Sequence, residues 1–293
     1  MRVFLTGIRS KFSRDLIPQL VQHRYDIVGV TRKPASYENL FNIEIVKSDM
    51  AVKIECQKKI DYIVHTAAYV PYNFDNIQDD FDDCYYNNII ATNKLLKFAV
   101  EKKVKRFIYI SSVDVYGQPL KKIPATEEHP LNPQSNYAIS KMCAEELCLV
   151  YCKRYGLQCV ILRVTPVYGR YLSNKRFLSR LIQDLKSKWE VSIYNLEGQL
   201  SIIHTQDVAD IIVKALDGPG GIYNIGPGQA VALKEFIHIA CDILEKKDAV
   251  IKEIETAKSP FPYQFSIDKV RKYYGWEPRI FLEEGIQDMI KGV

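Results

Sequence analysis

Short apolar runs alternate with helical patterns along the first half of the chain. Apolar runs bounded by turn residues predict strands at Val3–Thr6, Ile27–Thr31, Ile43–Lys47, Tyr62–His65, Phe107–Ser111 and Val160–Val164. Apolar positions that recur with a helical period predict helices over Phe12–His23, Phe81–Glu101 and Tyr137–Tyr155. Strands that alternate with helices through short connections predict an α/β fold, a Rossmann doubly wound parallel sheet.

The pattern becomes irregular after about residue 166, where Pro and Gly separate shorter elements. Strands are predicted at Val191–Tyr194, Ser201–Ile203 and Ile222–Ile225, and helices at Thr205–Leu216, Leu233–Glu245 and Phe281–Ile290. We therefore predict a Rossmann domain over residues 1–165 with about 200–217, and a smaller C-terminal domain over residues 166–199 and 218–293.

Small or polar residues follow the predicted strands of the first domain. They are Thr6-Gly7, Thr31-Arg32, Asp49, His65–Ala68, Ser111-Ser112 and Arg163–Tyr168. Ligands of doubly wound sheets bind beyond the carboxyl ends of the strands. These six segments therefore predict one shared site.

Tyr137 and Lys141 are four residues apart at the start of a predicted helix, so their side chains share one helix face. An ammonium beside a phenol favours the phenolate, which predicts that the pKa of Tyr137 falls toward neutrality. Such a phenol can exchange a proton with an alcohol or ketone oxygen, and a hydroxyl of Ser111-Ser112 can hold the same oxygen. Tyr171 and Lys175 share the spacing but lie in a basic, polar stretch, so the spacing alone is ambiguous.

Composition excludes several classes of protein. The chain has 293 residues, of which 47% are apolar and 26% charged, as in soluble globular proteins. It has no apolar run long enough to span a membrane, and its start at Met1–Gly7 predicts a first strand, not a signal peptide, hence a cytoplasmic protein. The net charge is +5, but Lys and Arg are scattered, which predicts no nucleic-acid partner. The seven cysteines form no Cys-x-x-Cys pair, which predicts reduced packing residues and no metal site.

Nine sequence features occur in the order found in one enzyme family. They are Val3-Phe-Leu-Thr-Gly7, Asp61-Tyr-Ile-Val-His-Thr-Ala-Ala68, Asn88-Ile-Ile-Ala-Thr92, Tyr109-Ile-Ser-Ser-Val-Asp-Val-Tyr-Gly117, Tyr137-x-x-x-Lys141, Arg163–Gly169, Ile203-His-Thr-Gln-Asp-Val208, Tyr223-Asn-Ile-Gly226 and Tyr274-Gly-Trp-Glu-Pro278. The chain resembles the extended short-chain dehydrogenases/reductases, the group of sugar-nucleotide epimerases, dehydratases and reductases. The resemblance implies a dinucleotide-binding first domain and a substrate-binding second domain.

The resemblance also implies roles for individual residues. Tyr137 is expected to be the acid/base, Lys141 to lower its pKa and hold the nicotinamide ribose, and Ser112 to hold the reacting oxygen. Asp49 is expected to accept from the adenine amine, and Asn88 to be structural or adjacent to the cofactor. The other predicted cofactor contacts are Gly7, Arg9, Ser10, Lys11, Phe12, Thr31, Arg32, Met50, Thr66, Ala67, Ala68, Ser111, Val164 and Val167. His65 is expected to be a packed strand residue.

The phosphate loop departs from the family pattern Gly-x-x-Gly-x-x-Gly, because it reads Gly7-Ile-Arg-Ser10-Lys-Phe-Ser13. The glycines of this pattern permit a tight turn and close approach of the pyrophosphate. Serine can donate a hydrogen bond, and the following helix N-terminus still favours an anion. Serine also penalises any positive φ angle, so a weakened cofactor site is the alternative.

The end of the second predicted strand reads Thr31-Arg32-Lys33, where NAD-preferring family members place an acid. Arg9 lies in the opposite loop. Guanidinium groups suit a phosphate, and an Arg accommodates the 2′-phosphate of NADP. We therefore predict NADP(H), with NAD(H) as the alternative if these charges are only solvated.

The predicted substrate contacts are Val113, Asp114, Tyr168, Arg170, Lys175 and Arg176. The 4,6-dehydratases that resemble this chain place Asp-Glu where it has Val113-Asp114, so the missing first acid argues against dehydration. Leu200 and Pro166 stand where family members often carry the Arg and Asn that hold the nucleotide diphosphate. Arg170, Lys175, Arg176 and Arg180 could replace them, or form a solvated face, which leaves a smaller substrate open.

The resulting prediction is a keto-reductase of a nucleotide-activated 4-keto-6-deoxy sugar. An NAD-dependent nucleotide-sugar 4-epimerase is the alternative within the family. A dinucleotide-binding sensor without turnover is the alternative of another class, since fold does not dictate function. A homodimer is also expected, because family members pair the helices predicted at Phe81–Glu101 and Tyr137–Tyr155, and apolar residues such as Leu147 and Val150 are available for that contact.

Overall fold

A computed structural model describes residues 1–10, 12–32, 43–71, 80–172, 175–254 and 263–292. In chain order, the strands of this described part are β1 (Arg2–Thr6), β2 (Asp26–Thr31), β3 (Glu44–Lys47), β4 (Tyr62–His65), β5 (Arg106–Ser112), β6 (Cys159–Val164), β7 (Val167–Tyr168), β8 (Glu190–Tyr194), β9 (Gln199–Leu200), β10 (Ile203–His204), β11 (Gly221–Ile225), β12 (Val231–Ala232) and β13 (Val250–Ile254).

The helices of the same residues are α1 (Ser13–Gln22), α2 (Phe81–Cys84), α3 (Ala91–Glu101), α4 (Asn136–Tyr155), α5 (Phe177–Ser187), α6 (Thr205–Ala215), α7 (Leu233–Ile243), α8 (Asp268–Tyr274) and α9 (Leu282–Ile290). A π-helical segment (Tyr85–Ile90) joins α2 to α3, and a 3₁₀ turn (Val113–Tyr116) follows β5.

Seven parallel strands form the central sheet in the order β3-β2-β1-β4-β5-β6-β11. The order reverses between β1 and β4, and ligands of such sheets bind at this switch point, beyond the carboxyl ends of the strands. The predicted Rossmann fold is confirmed.

Each face of the sheet carries its own apolar cluster, because successive side chains of a strand point to opposite faces. Val3 and Leu5 join a cluster with α1 and α6, whereas Phe4 joins another with α3 and α4. A third cluster gathers side chains between Tyr168 and Ile202 and between Leu233 and Met289. These last ranges fall largely in the predicted C-terminal domain, whose boundaries stay a prediction.

Most sequence-predicted elements of the first half are present within one or two residues of their expected bounds. The long helix predicted over Phe81–Glu101 is interrupted by its π-helical segment. Helix α5 and strand β13 were not expected from the sequence, and the strand predicted at Ser201–Ile203 is instead two short strands, β9 and β10. No helix of the described residues is both long and apolar enough to cross a membrane.

Candidate active site

The loop after β1 forms a close-fitting cradle at the switch point. Gly7 has a φ of +67°, and a Cβ added there would lie 2.6 Å from Thr66 Oγ1 and 2.9 Å from the Ala67 nitrogen. Only glycine combines this backbone conformation with this close approach. The first glycine of the phosphate loop is therefore required by the fold itself.

The two serines that replace glycines in this loop are used as hydrogen-bonding residues. Ser13 Oγ donates to the Gly7 carbonyl at 2.9 Å, and the Ser13 amide donates to Ser10 Oγ at 3.1 Å. Neither serine has a positive φ, so the steric penalty considered above does not arise at either position. Ser10 and Ser13 stabilise the turn that leads into α1, whose N-terminus favours an anion.

Replacing Gly7 by Ala is expected to destabilise the protein and to weaken dinucleotide binding. Gly156 provides a matched control, because it has a φ of +68° but no atom within 4 Å of an added Cβ. Gly156→Ala should cost only the backbone strain, about 1 kcal/mol, whereas Gly7→Ala adds the clash. Thermal melts and a fluorescence titration with NADH would show the difference, and equal effects of the two substitutions would contradict the cradle.

Ser112, Tyr137 and Lys141 come together at the carboxyl end of β5. All three are nearly buried, at 8%, 9% and 3% exposed respectively. The Ser112 hydroxyl is close enough to the Tyr137 phenol to lower its pKa, and it accepts from the Asp114 amide at 3.2 Å. Lys141 Nζ donates to the Ile110 carbonyl, two residues before the end of the same strand. The structure thus places a phenol, a hydroxyl and an ammonium at one edge of the sheet.

The expectation that the pKa of Tyr137 falls is wrong for the protein alone. Burial raises the pKa of Tyr137, and the Asp114 carboxylate raises it further, while Arg176 and the Ser112 hydroxyl act in the opposite direction. Lys141 Nζ lies 6.0 Å from the centre of the Tyr137 ring and is bonded to a backbone carbonyl. Tyr137 and Lys141 therefore lie on one face of the helix, as their spacing predicted, but the lysine does not contact the phenolic oxygen directly.

A continuous line of hydrogen bonds connects the end of β1, next to the phosphate loop, to α4. Buried His65 bonds Thr6 Oγ1 through Nδ1 at 2.8 Å and Thr92 Oγ1 through Nε2 at 2.9 Å. Thr92 donates in turn to the Asn88 carbonyl. Because the Thr92 hydroxyl proton is thereby committed, Nε2 of His65 must be the donor and Nδ1 the acceptor.

Asn88, in the π-helical segment, continues this line to the tyrosine. Its amide bonds both backbone groups of Tyr69 and donates to Ser140 Oγ at 2.9 Å. Ser140 donates to the Tyr137 carbonyl at 2.7 Å. Burial lowers the pKa of His65 to about 3, so the line is kept by a neutral imidazole. His65 is a packed residue, as expected. The Asn88 side chain is committed to these hydrogen bonds, and its predicted place beside the cofactor stays a prediction.

Ser111 faces a buried ionic network instead of the open edge of the site. Its hydroxyl donates to Glu145, which forms a bidentate ion pair with Arg163 at 2.7–3.1 Å. Arg163 also donates to the Tyr116 hydroxyl at 2.9 Å, which donates to Asn224 at 2.7 Å. The Ser111 side chain is committed to this network, so the prediction of a cofactor contact survives only for its backbone.

A second charged group borders the tyrosine. Asp114 is hydrogen-bonded with Ser112 and accepts from the Tyr263 hydroxyl at 3.3 Å. Burial raises the pKa of Asp114, whereas those bonds and the nearby Arg176 charge lower it. A cleft of about 280 Å³ opens beside them, lined by Asp114, Gly117, Gln118, Gln134, Ser135, Ala138 and Tyr263. Tyr263 was missed from the sequence, because only long-range folding brings it to this cleft.

The remaining predicted cofactor residues lie at neighbouring strand ends. Thr66 Oγ1 donates to the Thr6 carbonyl at 2.7 Å, and the Ala67 amide donates to Thr6 Oγ1 at 3.1 Å. Asp49 is exposed and accepts from the Ala51 amide at 3.0 Å. The side chains of four further predicted residues lie within or against the apolar clusters of the sheet: Phe12, Met50, Val164 and Val167. Thr31 is buried, Arg9 is exposed, Ala68 is half-buried, and Lys11 lies outside the described residues.

Arg32 follows β2 directly and its side chain is exposed. Its guanidinium donates to Asn87 Oδ1 at 3.3 Å. The guanidinium that was predicted to bind a 2′-phosphate therefore lies at the expected strand end. Its hydrogen-bond partner, Asn87, is neutral, so the positive charge of Arg32 is not neutralised by this contact. Its use by a ligand stays a prediction.

Two predicted substrate residues require correction. Val113 is completely buried in an apolar cluster beneath the 3₁₀ turn, and Tyr168 is 3% exposed in the third cluster. Their side chains pack within these clusters and do not line the cleft beside Asp114. The Arg170 amide bonds Asp288 at 3.1 Å, and both Arg170 and Lys175 are exposed. Among the predicted basic residues, Arg176 lowers the pKa of both Asp114 and Tyr137.

Comparison with known proteins supports this arrangement. The model of the NAD dependent epimerase/dehydratase family matches residues 3–226. The chain belongs to this family. The uncharacterized UDP-glucose epimerase YtcB of Bacillus subtilis is 25% identical to it, over 99% of this chain and 97% of the relative. The dTDP-D-glucose 4,6-dehydratase of Homo sapiens is 27% identical, over 99% of this chain and 89% of the relative.

Solved structures of low sequence identity confirm the family fold over the whole chain. A UDP-glucose 4-epimerase of Thermotoga maritima with UDP-glucose has a TM-score of 0.88 at 22% identity, covering 99% of this chain and 98% of the other. RMD from Pseudomonas aeruginosa, complexed with NADPH, has a TM-score of 0.82 at 21% identity, with the same coverage. This family member is thus an enzyme of the NAD-dependent sugar-nucleotide epimerase/dehydratase group, as the sequence resemblance predicted.

Proposed function

We propose that this family member is an NAD(P)-dependent 4-epimerase of a nucleotide-activated sugar. The observation that carries the proposal is the convergence of Tyr137, Ser112 and Lys141 beside the Gly7 cradle. Relatives named as UDP-glucose epimerases support epimerisation over the keto-reduction that the sequence first favoured. The absence of an acid at Val113 argues against the dehydratase reaction.

The residues fit a bound dinucleotide. The positive φ of Gly7 and its close contacts with Thr66 and Ala67 hold the loop against the end of β4, so that a pyrophosphate can approach the loop backbone. The N-terminus of α1 follows the loop and favours an anion. When bound, an oxidised nicotinamide supplies a hydride acceptor and a positive charge, and a positive charge near a phenol lowers its pKa. This assigns to the cofactor the electrostatic role that the sequence analysis gave to Lys141.

The chain's own residues move the proton. Tyr137 takes the proton of the sugar C4 hydroxyl as the C4 hydrogen leaves as hydride, which produces a 4-keto sugar. Ser112 donates to or accepts from the same oxygen and fixes its position. In epimerisation, hydride returns to the opposite face of C4 and Tyr137 gives its proton back, so no net oxidation occurs.

A keto-reductase of a nucleotide-activated 4-keto-6-deoxy sugar is the second candidate. Arg32 and Arg9 favour it, because their exposed guanidinium groups near the cradle suit the 2′-phosphate of NADPH. Product analysis separates the two reactions. Interconversion of UDP-glucose and UDP-galactose without net cofactor use supports the epimerase, whereas stoichiometric NADPH oxidation by dTDP-4-keto-6-deoxyglucose supports the reductase.

The Arg32→Ala variant tests cofactor choice. If Arg32 binds a 2′-phosphate, the substitution should weaken NADPH binding by about tenfold, the equivalent of one charged contact, and leave NADH binding unchanged. Side-by-side fluorescence titrations of the unmodified protein and of Arg32→Ala, each with NADPH and with NADH, measure these affinities. Tighter NADH binding by the unmodified protein, with no effect of the substitution on NADPH, would show that the charge is only solvated.

We also propose that α4 and the π-helical segment form a homodimer interface. Leu147, predicted for this contact, instead packs against the second cluster. Val150 is 51% exposed, and Leu149, Tyr85, Tyr86 and Phe81 are exposed on the neighbouring helical surface. An exposed apolar surface of this kind is a common protein contact.

The Val150→Glu substitution tests the interface. It should convert a dimer into a monomer in sedimentation velocity, because it buries an unpaired charge. Val250 is 50% exposed on β13, so Val250→Glu is a control of matched exposure that should remain dimeric. A monomeric unmodified protein at micromolar concentration would contradict the proposal.

A further inference from the structure

Lys141 is a charged side chain in an almost closed environment. It is 3% exposed, and its Nζ donates to the Ile110 carbonyl. Burial lowers the pKa of Lys141 to about 8, because the ammonium loses its hydration. An uncharged amine is a weaker hydrogen-bond donor than an ammonium, both to the Ile110 carbonyl and to the ribose hydroxyls that the proposed function assigns to Lys141. The protein therefore needs a group that favours the ammonium at this place.

The ring of Tyr109 lies directly at the ammonium. Lys141 Nζ is 4.4 Å from the centre of the Tyr109 ring, within the range of a cation–π interaction. Tyr109 is on β5 and is 1% exposed, so both partners are withdrawn from water, which strengthens the attraction. The buried Tyr109 hydroxyl has no hydrogen-bond partner among the described residues. Tyr109 therefore contacts Lys141 through its ring face and not through its hydroxyl.

The other groups that face Lys141 are already committed or neutral. Glu145, one turn further along α4, raises the pKa of Lys141 but is shared with Arg163 and Ser111. His65, on β4, is neutral above a pKa of about 3, and its ring is 5.6 Å from the Tyr109 ring. Cys148, also on α4, raises the pKa of Lys141 in addition to Glu145, and burial raises the pKa of the nearby Tyr137 phenol, which keeps it neutral.

We propose that Tyr109 is a positioning residue of the active site, whose ring face holds the Lys141 ammonium charged and in place at the end of β5. The charge state is a property of the protein alone. Its consequence for cofactor binding and turnover rests on the function proposed above.

The experiment titrates Lys141 directly in the ligand-free protein. Lysine isotopically labelled at Cε gives a resonance for each side chain, and comparison with Lys141→Arg assigns the one of interest. Tyr109→Phe retains the ring and removes only the unbonded hydroxyl, so the titration midpoint should stay unchanged. Phenylalanines with one, two and three ring fluorines at position 109 then weaken the electron-rich face at nearly constant size.

The midpoint is expected to fall stepwise along the fluorinated series, by about one pH unit in total. A midpoint that stays constant, or rises, along the series would overturn the proposal. In the same variants, NADH affinity should fall as the pH is raised, and the pH at which it falls should shift with the titration midpoint of Lys141. Failure to bind NADH or NADPH at any pH would contradict the proposed function and would leave the titration result to decide the role of Tyr109.

Discussion

Replacing Tyr137 by Phe is expected to reduce turnover by about 10³-fold and to leave dinucleotide affinity unchanged. The substitution removes only the phenolic oxygen, the one atom of this side chain that can exchange a proton. The fold should tolerate the change, because the Tyr137 backbone carbonyl still accepts from Ser140 and the ring keeps its buried place. Steady-state assays with the identified sugar and NADH titrations measure the two quantities.

Tyr151→Phe is the matched control for this experiment. Tyr151 lies on the same helix and donates to Asn93 at 3.1 Å, away from Ser112 and Lys141. Its substitution should leave turnover within a few-fold of the unmodified protein. If Tyr137→Phe behaved like this control, the enzymatic assignment of Tyr137 would be wrong, and a dinucleotide-binding sensor would become the better description.

Removing Glu145 is expected to be the most destabilising single substitution discussed here. Its carboxylate is 2% exposed and forms an ion pair with Arg163, which is 4% exposed. Glu145→Ala leaves a buried guanidinium without its counter-charge, which typically costs about 3–5 kcal/mol. For a chain of this size that corresponds to a melting temperature lower by about 5–8 °C.

Two further variants identify the cause of the loss. Glu146→Ala changes the adjacent exposed carboxylate and should alter stability by less than about 0.5 kcal/mol. Combining Glu145→Leu with Arg163→Met removes both charges and should recover part of the loss, because no unpaired charge remains. A double variant less stable than Glu145→Ala would contradict the explanation based on charge.

The sheet was predictable because its signals are local. Each of the first strands is a short apolar run, and alternation with helices fixes its parallel arrangement. Helix α5 was not predicted, although Leu178, Leu181, Ile182 and Leu185 have helical spacing in the sequence. The π-helical segment could not be foreseen, since its wider turn leaves no distinct pattern of apolar residues.

The candidate site was predictable only where its residues are close in sequence or lie at strand ends. Tyr137, Lys141 and Ser112 fall into this class. Tyr263 reaches Asp114 from a chain segment remote from it, so no local spacing marks Tyr263 as a site residue. Burial is also a tertiary property, which is why Val113 and Tyr168 appeared available and the pKa of Tyr137 was predicted in the wrong direction.

The most direct test of this account is hydride transfer within the protein. NAD⁺ or NADP⁺ is added, followed by a nucleotide sugar with a free C4 hydroxyl, and the near-ultraviolet absorbance of reduced nicotinamide is recorded. The account predicts a signal with at least one sugar from a panel of UDP- and dTDP-hexoses, and its loss in Tyr137→Phe. Binding of cofactor and sugar that yields neither reduced nicotinamide nor the C4 epimer of the sugar, or an equal signal in Tyr137→Phe, would contradict it.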